Sequence, residues 1–128
     1  MPFAKYSEYC IMRDMKVNHV HFATIESTNR WAMEHAATFN PLVLTVITAS
    51  EQTAGYGRLG RSWLSPANEN LYATFCLSLP LTCKDYSLLT FVMALAAAEL
   101  LKENGLSAHI KWPNDLMINE KKNCGYLM

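Results

Sequence analysis

Glycine is scarce, five residues in 128, and three of those five fall between Gly55 and Gly60. An excess of one charge is lacking as well: eleven Lys and Arg balance eleven Asp and Glu. Bulk charge therefore gives no reason to expect a nucleic acid or a membrane surface as partner. The longest apolar patch, FVMALAAAELL at 91–101, is too short to span a bilayer and is closed by Lys102. Glu8, Arg13, Asp14 and Lys16 interrupt the first twenty residues, which leaves no basic stretch and apolar core of a secretory leader. The four cysteines, Cys10, Cys76, Cys83 and Cys124, make no C-x-x-C pair and no zinc-like set with histidine. They are expected as free thiols in a reducing compartment, which points to the cytoplasm.

What remains is a chain that is 51% hydrophobic and 17% charged, ordinary for a globular protein. Its length suits a single domain over 1–128. The first sixteen residues have no clean periodicity and read as a lead-in. HVHFATI at 19–25 alternates and predicts a strand. STNRWAMEHAAT predicts a helix capped by Ser27 or Thr28, with Trp31 and His35 on one face. PLVLTVITA at 41–49 predicts a strand buried on both faces. NLYATFCLSLP at 70–80 is another strand, stopped by proline. A helix follows from Asp85 to Asn104, ended by Asn104-Gly105. Strands at 107–112, 115–118 and 124–128 come next, with NEKKN at 119–123 as a hairpin turn. The order β-α-β-β-α-β-β-β predicts an α/β (α+β) domain, a mixed sheet flanked by two helices.

The glycines sit in GYGRLGR at 55–61. Such a loop can approach a ligand closely and turn its N–H groups toward an anion, and arginine adds a planar fork for phosphate or carboxylate. The stretch is not a Walker A motif, since no GK[ST] follows. Glycines at 55, 57 and 60 do have G-x-G-x-x-G spacing, but the next segment, RSWLSPANEN, contains proline and no helical period. Alone, the stretch reads equally well as a phosphate loop or as a turn needing left-handed backbone.

KWPNDL at 111–116 places a lysine, an amide and a carboxylate at a strand end. Lys111, Asn114 and Asp115 could face phosphate, a purine edge and Mg²⁺, or could form a proline turn with Asx hydrogen bonds. Ser27, Thr28 and Asn29 ordinarily only cap a helix. Lys121 and Lys122 ordinarily mark a solvated hairpin tip.

Taken in order, STN at 27–29, EQTAGYGRLGRSW at 51–63, NLYATF at 70–75 and KWPNDLMINEKKNCG at 111–125 resemble the catalytic domain of biotin protein ligases. The resemblance implies a fold related to class II aminoacyl-tRNA synthetases. It also implies a two-step reaction in which biotin and ATP, with Mg²⁺, form biotinyl-5′-AMP and pyrophosphate. A lysine on the biotin carboxyl carrier domain of a carboxylase then attacks the adenylate. Carried over residue by residue, the biotin pocket would involve Ser27, Thr28, Asn29, Gln52, Gly55, Tyr56, Gly57 and Gly125. Arg58 and Lys122 would be catalytic. Arg61, Trp63, Lys111, Asn114 and Asp115 would join Arg58 around ATP and the adenylate, with Asp115 near the metal.

The common loop of that family is G-R-G-R-x-G-R, and Tyr56 here takes the place of its first arginine. KNCG at 122–125 likewise departs from the usual lysine, apolar, alanine, glycine pattern. Neither a winged-helix DNA-binding domain nor the family's small C-terminal β-domain is recognised, so a partial catalytic domain is expected. CGYLM ends in mid-pattern, leaving an edge that a second copy could pair as a homodimer. Two alternatives stand beside the ligase reading: a lipoate or octanoate ligase of the related fold, and a biotin-binding remnant without catalysis. The loop is expected to be mobile without ligand.

Overall fold

The computed structural model describes residues 15–112 and 115–125. The lead-in, Asn114 and the last three residues of the expected final strand lie outside the described residues, apart from the two residues that close the lead-in. The chain divides into two compact units. The first is the chain up to Tyr56 together with Gly60–Ser78, and the second is Gly57–Leu59 together with Leu79 onward.

In the first unit, β1 (Lys16–Ile25), α1 (Thr28–His35), β2 (Val43–Gln52) and β3 (Tyr72–Cys76) follow in order. β2 is central. It pairs parallel with β1, from Lys16↔Val43 to Ile25↔Gln52, and antiparallel with β3, from Thr45↔Cys76 to Ala49↔Tyr72. Full burial alternates along β2 at Thr45, Ile47 and Ala49, with half-buried residues between them. The expected two-sided burial is thus realised fully on one side, because α1 covers one face of the sheet. Thr74, the register partner of Ile47, reaches Thr28 of α1 from that face.

Ser27 adopts extended backbone and its Oγ accepts from the Arg30 N–H at 3.3 Å, the capping bond the sequence led us to expect. Trp31 and His35 stack with centroids 4.1 Å apart, and Phe22 meets Trp31 edge-on at 5.1 Å. Side chains four positions apart on a helix lie over one another, and a 2.8 Å hydrogen bond between His35 Nδ1 and the Trp31 carbonyl fixes the ring in the stack. After His35 the helix tightens into a 3₁₀ turn over Ala36–Thr38.

In the second unit, a 3₁₀ turn at Tyr86–Leu88 leads into α2 (Leu89–Glu103). The helix ends as its Asn104-Gly105 signal requires. Gly105 takes φ +79°, its N–H bonds the Lys102 carbonyl at 3.0 Å, and the Leu106 N–H bonds the Leu101 carbonyl at 2.9 Å. β4 (His109–Lys111), β5 (Asp115–Ile118) and β6 (Lys121–Gly125) form an antiparallel sheet in that order, and Ala94 and Leu116 are buried.

The element order matches the expectation, but the strands divide into two three-stranded sheets, the first mixed and the second antiparallel. The expected turn at 119–123 is also corrected. Only Asn119 and Glu120 turn, both left-handed at φ 50° and 60°, and β6 begins at Lys121. A two-residue turn of this kind matches strand twist, so pairing with β5 draws the lysines and Asn123 into the sheet. Among the described residues no helix is long and apolar enough to cross a membrane.

Candidate functional site

The first unit gathers several expected site residues into one hydrogen-bonded network at the start of α1 and the end of β2. Gln52 Oε1 accepts from the Thr28 backbone N–H at 2.9 Å and from Thr28 Oγ1 at 3.1 Å. Its Nε2 donates to Ser65 Oγ at 3.2 Å, and Ser65 Oγ donates to the Trp63 carbonyl at 3.3 Å. Thr74 Oγ1 donates to Thr28 Oγ1 at 3.0 Å. A backbone N–H can only donate, so the Thr28 amide fixes which end of the Gln52 carboxamide faces it. Ser27, Thr28 and Ser65 are buried, and their hydroxyls are all partnered, as burial of polar groups demands.

Ser65 and Thr74 are not among the expected site residues. Their place depends on pairings across the chain, Gln52↔Ser65 and Ile47↔Thr74, for which the local sequence carries no signal.

Gly55 packs directly on this network. A Cβ built there would lie 2.6 Å from Ser65 Oγ, 2.9 Å from the Trp63 carbonyl oxygen and 3.1 Å from Gln52 Nε2. Only glycine fits. The Gly55 carbonyl also accepts from the Trp63 N–H at 2.8 Å, and Tyr56 bridges Ser62. The base of the glycine loop is therefore a short closed ladder. Asn29 Nδ2 donates to the Tyr56 hydroxyl at 2.9 Å. Arg61 is exposed beside Ser62, and Trp63 is 40% exposed. Gly57 and Arg58 belong to the second unit, Arg58 opening a 3₁₀ turn over Arg58–Gly60 in which Leu59 is left-handed at φ 58°.

The second unit brings together Lys111, Asp115, Lys122 and Gly125. Asp115 is the register partner of Lys111 on one side and of Gly125 on the other. The β5–β6 register shifts between Leu116 and Met117, which sets Lys122 opposite Met117. From there Lys122 Nζ reaches Asp115 Oδ1 at 2.7 Å. Lys122 is thus in a strand and ion-paired, not at a hairpin tip. Among the described residues no group of three or more His, Cys, Asp or Glu is gathered to hold a metal ion.

A model of the biotin/lipoate A/B protein ligase family matches residues 21–128. The chain belongs to that family. It is similar to the bifunctional ligase/repressor BirA of Bacillus subtilis, 33% identical over 109 residues, covering 84% of this chain and 33% of the relative. It is also similar to the biotin–[acetyl-CoA-carboxylase] ligase of Paracoccus denitrificans, 36% identical over 112 residues, covering 83% of this chain and 44% of the relative. Among solved structures, the biotin protein ligase of Aquifex aeolicus in complex with biotin and ATP superposes with a TM-score of 0.73 at 34% identity. That match covers 86% of this chain and 45% of the ligase. The chain therefore spans between a third and a half of the length of these three proteins. Its fold is the mixed α+β, class II synthetase-like arrangement that the motifs implied.

Proposed function

We propose that the protein activates biotin with ATP to biotinyl-5′-AMP, releasing pyrophosphate. It then transfers biotin to a lysine of a carboxylase's biotin carboxyl carrier domain. The observation that carries the reading is the part-buried network joining Thr28, Gln52 and Ser65 under a glycine that tolerates no side chain. Buried hydroxyls and a carboxamide offer both donors and acceptors, which a ureido ring requires. The Aquifex relative is described with biotin and ATP, and the Paracoccus relative as a ligase acting on acetyl-CoA carboxylase.

Adenylation brings an anionic carboxylate to an anionic phosphate, so fixed cations must offset their repulsion and stabilise charge in the transition state. We assign that work to Arg58 and Lys122, with Arg61 and Lys111 as further phosphate contacts and Trp63 and Asn114 beside the adenylate. Magnesium is read as arriving with ATP, since Mg²⁺ takes much of its coordination from substrate phosphates and water. Asp115 is the carboxylate assigned to meet it. Gly57 and Gly125 are assigned to biotin as well. The free thiols Cys76, Cys83 and Cys124 suit a cytoplasmic ligase.

The test is biotin-dependent pyrophosphate release with ATP and Mg²⁺, beside calorimetric titration with biotin. Release is the expected result. Binding without release would leave a biotin-binding module, and release with lipoate in preference to biotin would move the protein to the lipoate branch.

A further inference from the structure

We propose that Asn29 and Tyr56 form a latch that seats the base of the glycine loop on the first turn of α1 before any ligand arrives. The latch thereby sets how tightly biotin is held. The second half rests on the function proposed above.

Three contacts converge on Tyr56. Its hydroxyl accepts from Asn29 Nδ2 at 2.9 Å. The Arg30 guanidinium carbon stands 5.8 Å from the ring centroid, within cation–π range. The Tyr56 backbone bridges Ser62, next to the 2.8 Å bond from the Trp63 N–H to the Gly55 carbonyl.

The neighbours of these residues tie the latch to the buried network. Thr28, which precedes Asn29, is bonded to Gln52, and Gly55, which precedes Tyr56, packs on Gln52. Helix start and loop base are therefore clamped twice, once through the network and once through the phenol. The outer clamp faces an open cleft of about 620 Å³ lined by Arg30, Met33, Glu34, Tyr56 and Gly60. The inner clamp is satisfied by groups assigned to biotin, so ligand must compete with it. The outer clamp is made by Asn29 and Tyr56, also expected at the biotin pocket, but its bond from Nδ2 to the phenol uses no atom of Thr28 or Gln52.

A glycine-containing loop loses more conformational freedom on ordering than other segments do. A segment already ordered in the free protein avoids that loss at binding, and affinity rises accordingly. Tyr56 is in this sense a positioning residue. It confines the loop's motion to the tip beyond it, where the sequence led us to expect mobility throughout.

The experiment compares the chain with Tyr56→Phe, Asn29→Leu and Asn29→Asp, using hydrogen–deuterium exchange without ligand and biotin titration. Loss of one partly buried hydrogen bond should speed exchange of the 55–63 peptide by about fivefold in Tyr56→Phe and Asn29→Leu. Asn29→Asp should restore the slower rate, because the phenol can donate to a carboxylate. The biotin dissociation constant should rise and recover in parallel. Unaltered exchange in both deletion variants would overturn the latch. Faster exchange with an unaltered dissociation constant would overturn its link to affinity. If the unsubstituted chain binds no biotin while exchange still responds, the latch stands and it is the ligase reading that fails.

Discussion

Lys122 Nζ lies 2.7 Å from Asp115 Oδ1 although neither residue is the other's register partner. The contact runs diagonally across β5 and β6, and the register shift between Leu116 and Met117 makes it reachable. Oδ1 is buried and, among the described residues, makes no hydrogen bond of good geometry, so the nearby ammonium acts on it mainly through charge. The Lys122 side chain is 40% exposed but that of Asp115 only 22%, so removing the ammonium would leave a largely buried carboxylate without its counter-charge, a larger loss than that of an exposed pair.

Lys122→Ala should lower the rate of biotin-dependent pyrophosphate release. Loss of one well-placed transition-state cation is expected to cost about 10²–10³-fold in rate, as removal of one oxyanion donor does. Lys121, exposed and opposite Ile118, has no carboxylate partner among the described residues, and Lys121→Ala should change the rate by less than about twofold. Equal small effects in a pyrophosphate assay would return both lysines to the solvated-surface reading.

Gly55→Ala should damage both folding and binding. The added methyl would press on Ser65 Oγ, the Trp63 carbonyl and Gln52 Nε2, and two of these three atoms are not at the free end of a long side chain. Overpacking of this kind costs about 1–3 kcal/mol. A urea denaturation midpoint should fall accordingly, with biotin affinity falling further because Gln52 is displaced. A midpoint equal to that of the unsubstituted chain would show that the loop base yields easily.

Burial pushes the Cys76 thiol above its ordinary range. The thiolate is the reactive form, so at pH 8 alkylation of Cys76 should be slower than that of an unstructured cysteine peptide. As pH rises, the unfolded chain loses this proton before the folded one does. The group's contribution to stability therefore declines from the unfolded pKa upward and is lost as pH climbs toward the folded pKa. Mass-spectrometric rates at Cys76 across pH 7–10 check the order. A Cys76 rate matching the peptide throughout would mean that the thiol is not shielded.

Much of the first unit was legible because its signals are local. Ser27 followed by Thr28 and Asn29 announces a cap, Trp31 and His35 fall one turn apart, and three clustered glycines mark a loop without reference to anything distant. The Gln52 network was only half legible. Ser65 and Thr74 enter it through partners 13 and 46 residues away, and no window of sequence contains both ends. Lys121, Lys122 and Asn123 were misassigned to a turn because composition alone marks NEKKN as solvent-facing. What draws them into β6 is pairing with β5 and the attraction between Lys122 and Asp115. The division of the strands into two sheets was equally hidden, since alternation shows that a strand exists without naming its neighbour.

The parallel pairing of β1 with β2 has a consequence in time. Cross-strand partners such as His21 and Thr48 are 27 residues apart in the chain, whereas β5 and β6 are joined by Asn119 and Glu120 alone. Hairpins close within about 1–10 μs, while pairings across long separations wait for costly loop closure. During refolding, amides of the β5–β6 hairpin should gain protection in pulse-labelling before those of β1, and the reverse order would refute this. Thr28 and Gln52 meet only where the β1–β2 register closes at Ile25 and Gln52. On that order the chain would hold its lysine–aspartate pair before Thr28 meets Gln52. On the function proposed above, a substitution outside the Thr28–Gln52 network that merely slows the parallel pairing would delay biotin recognition without altering a single recognising atom.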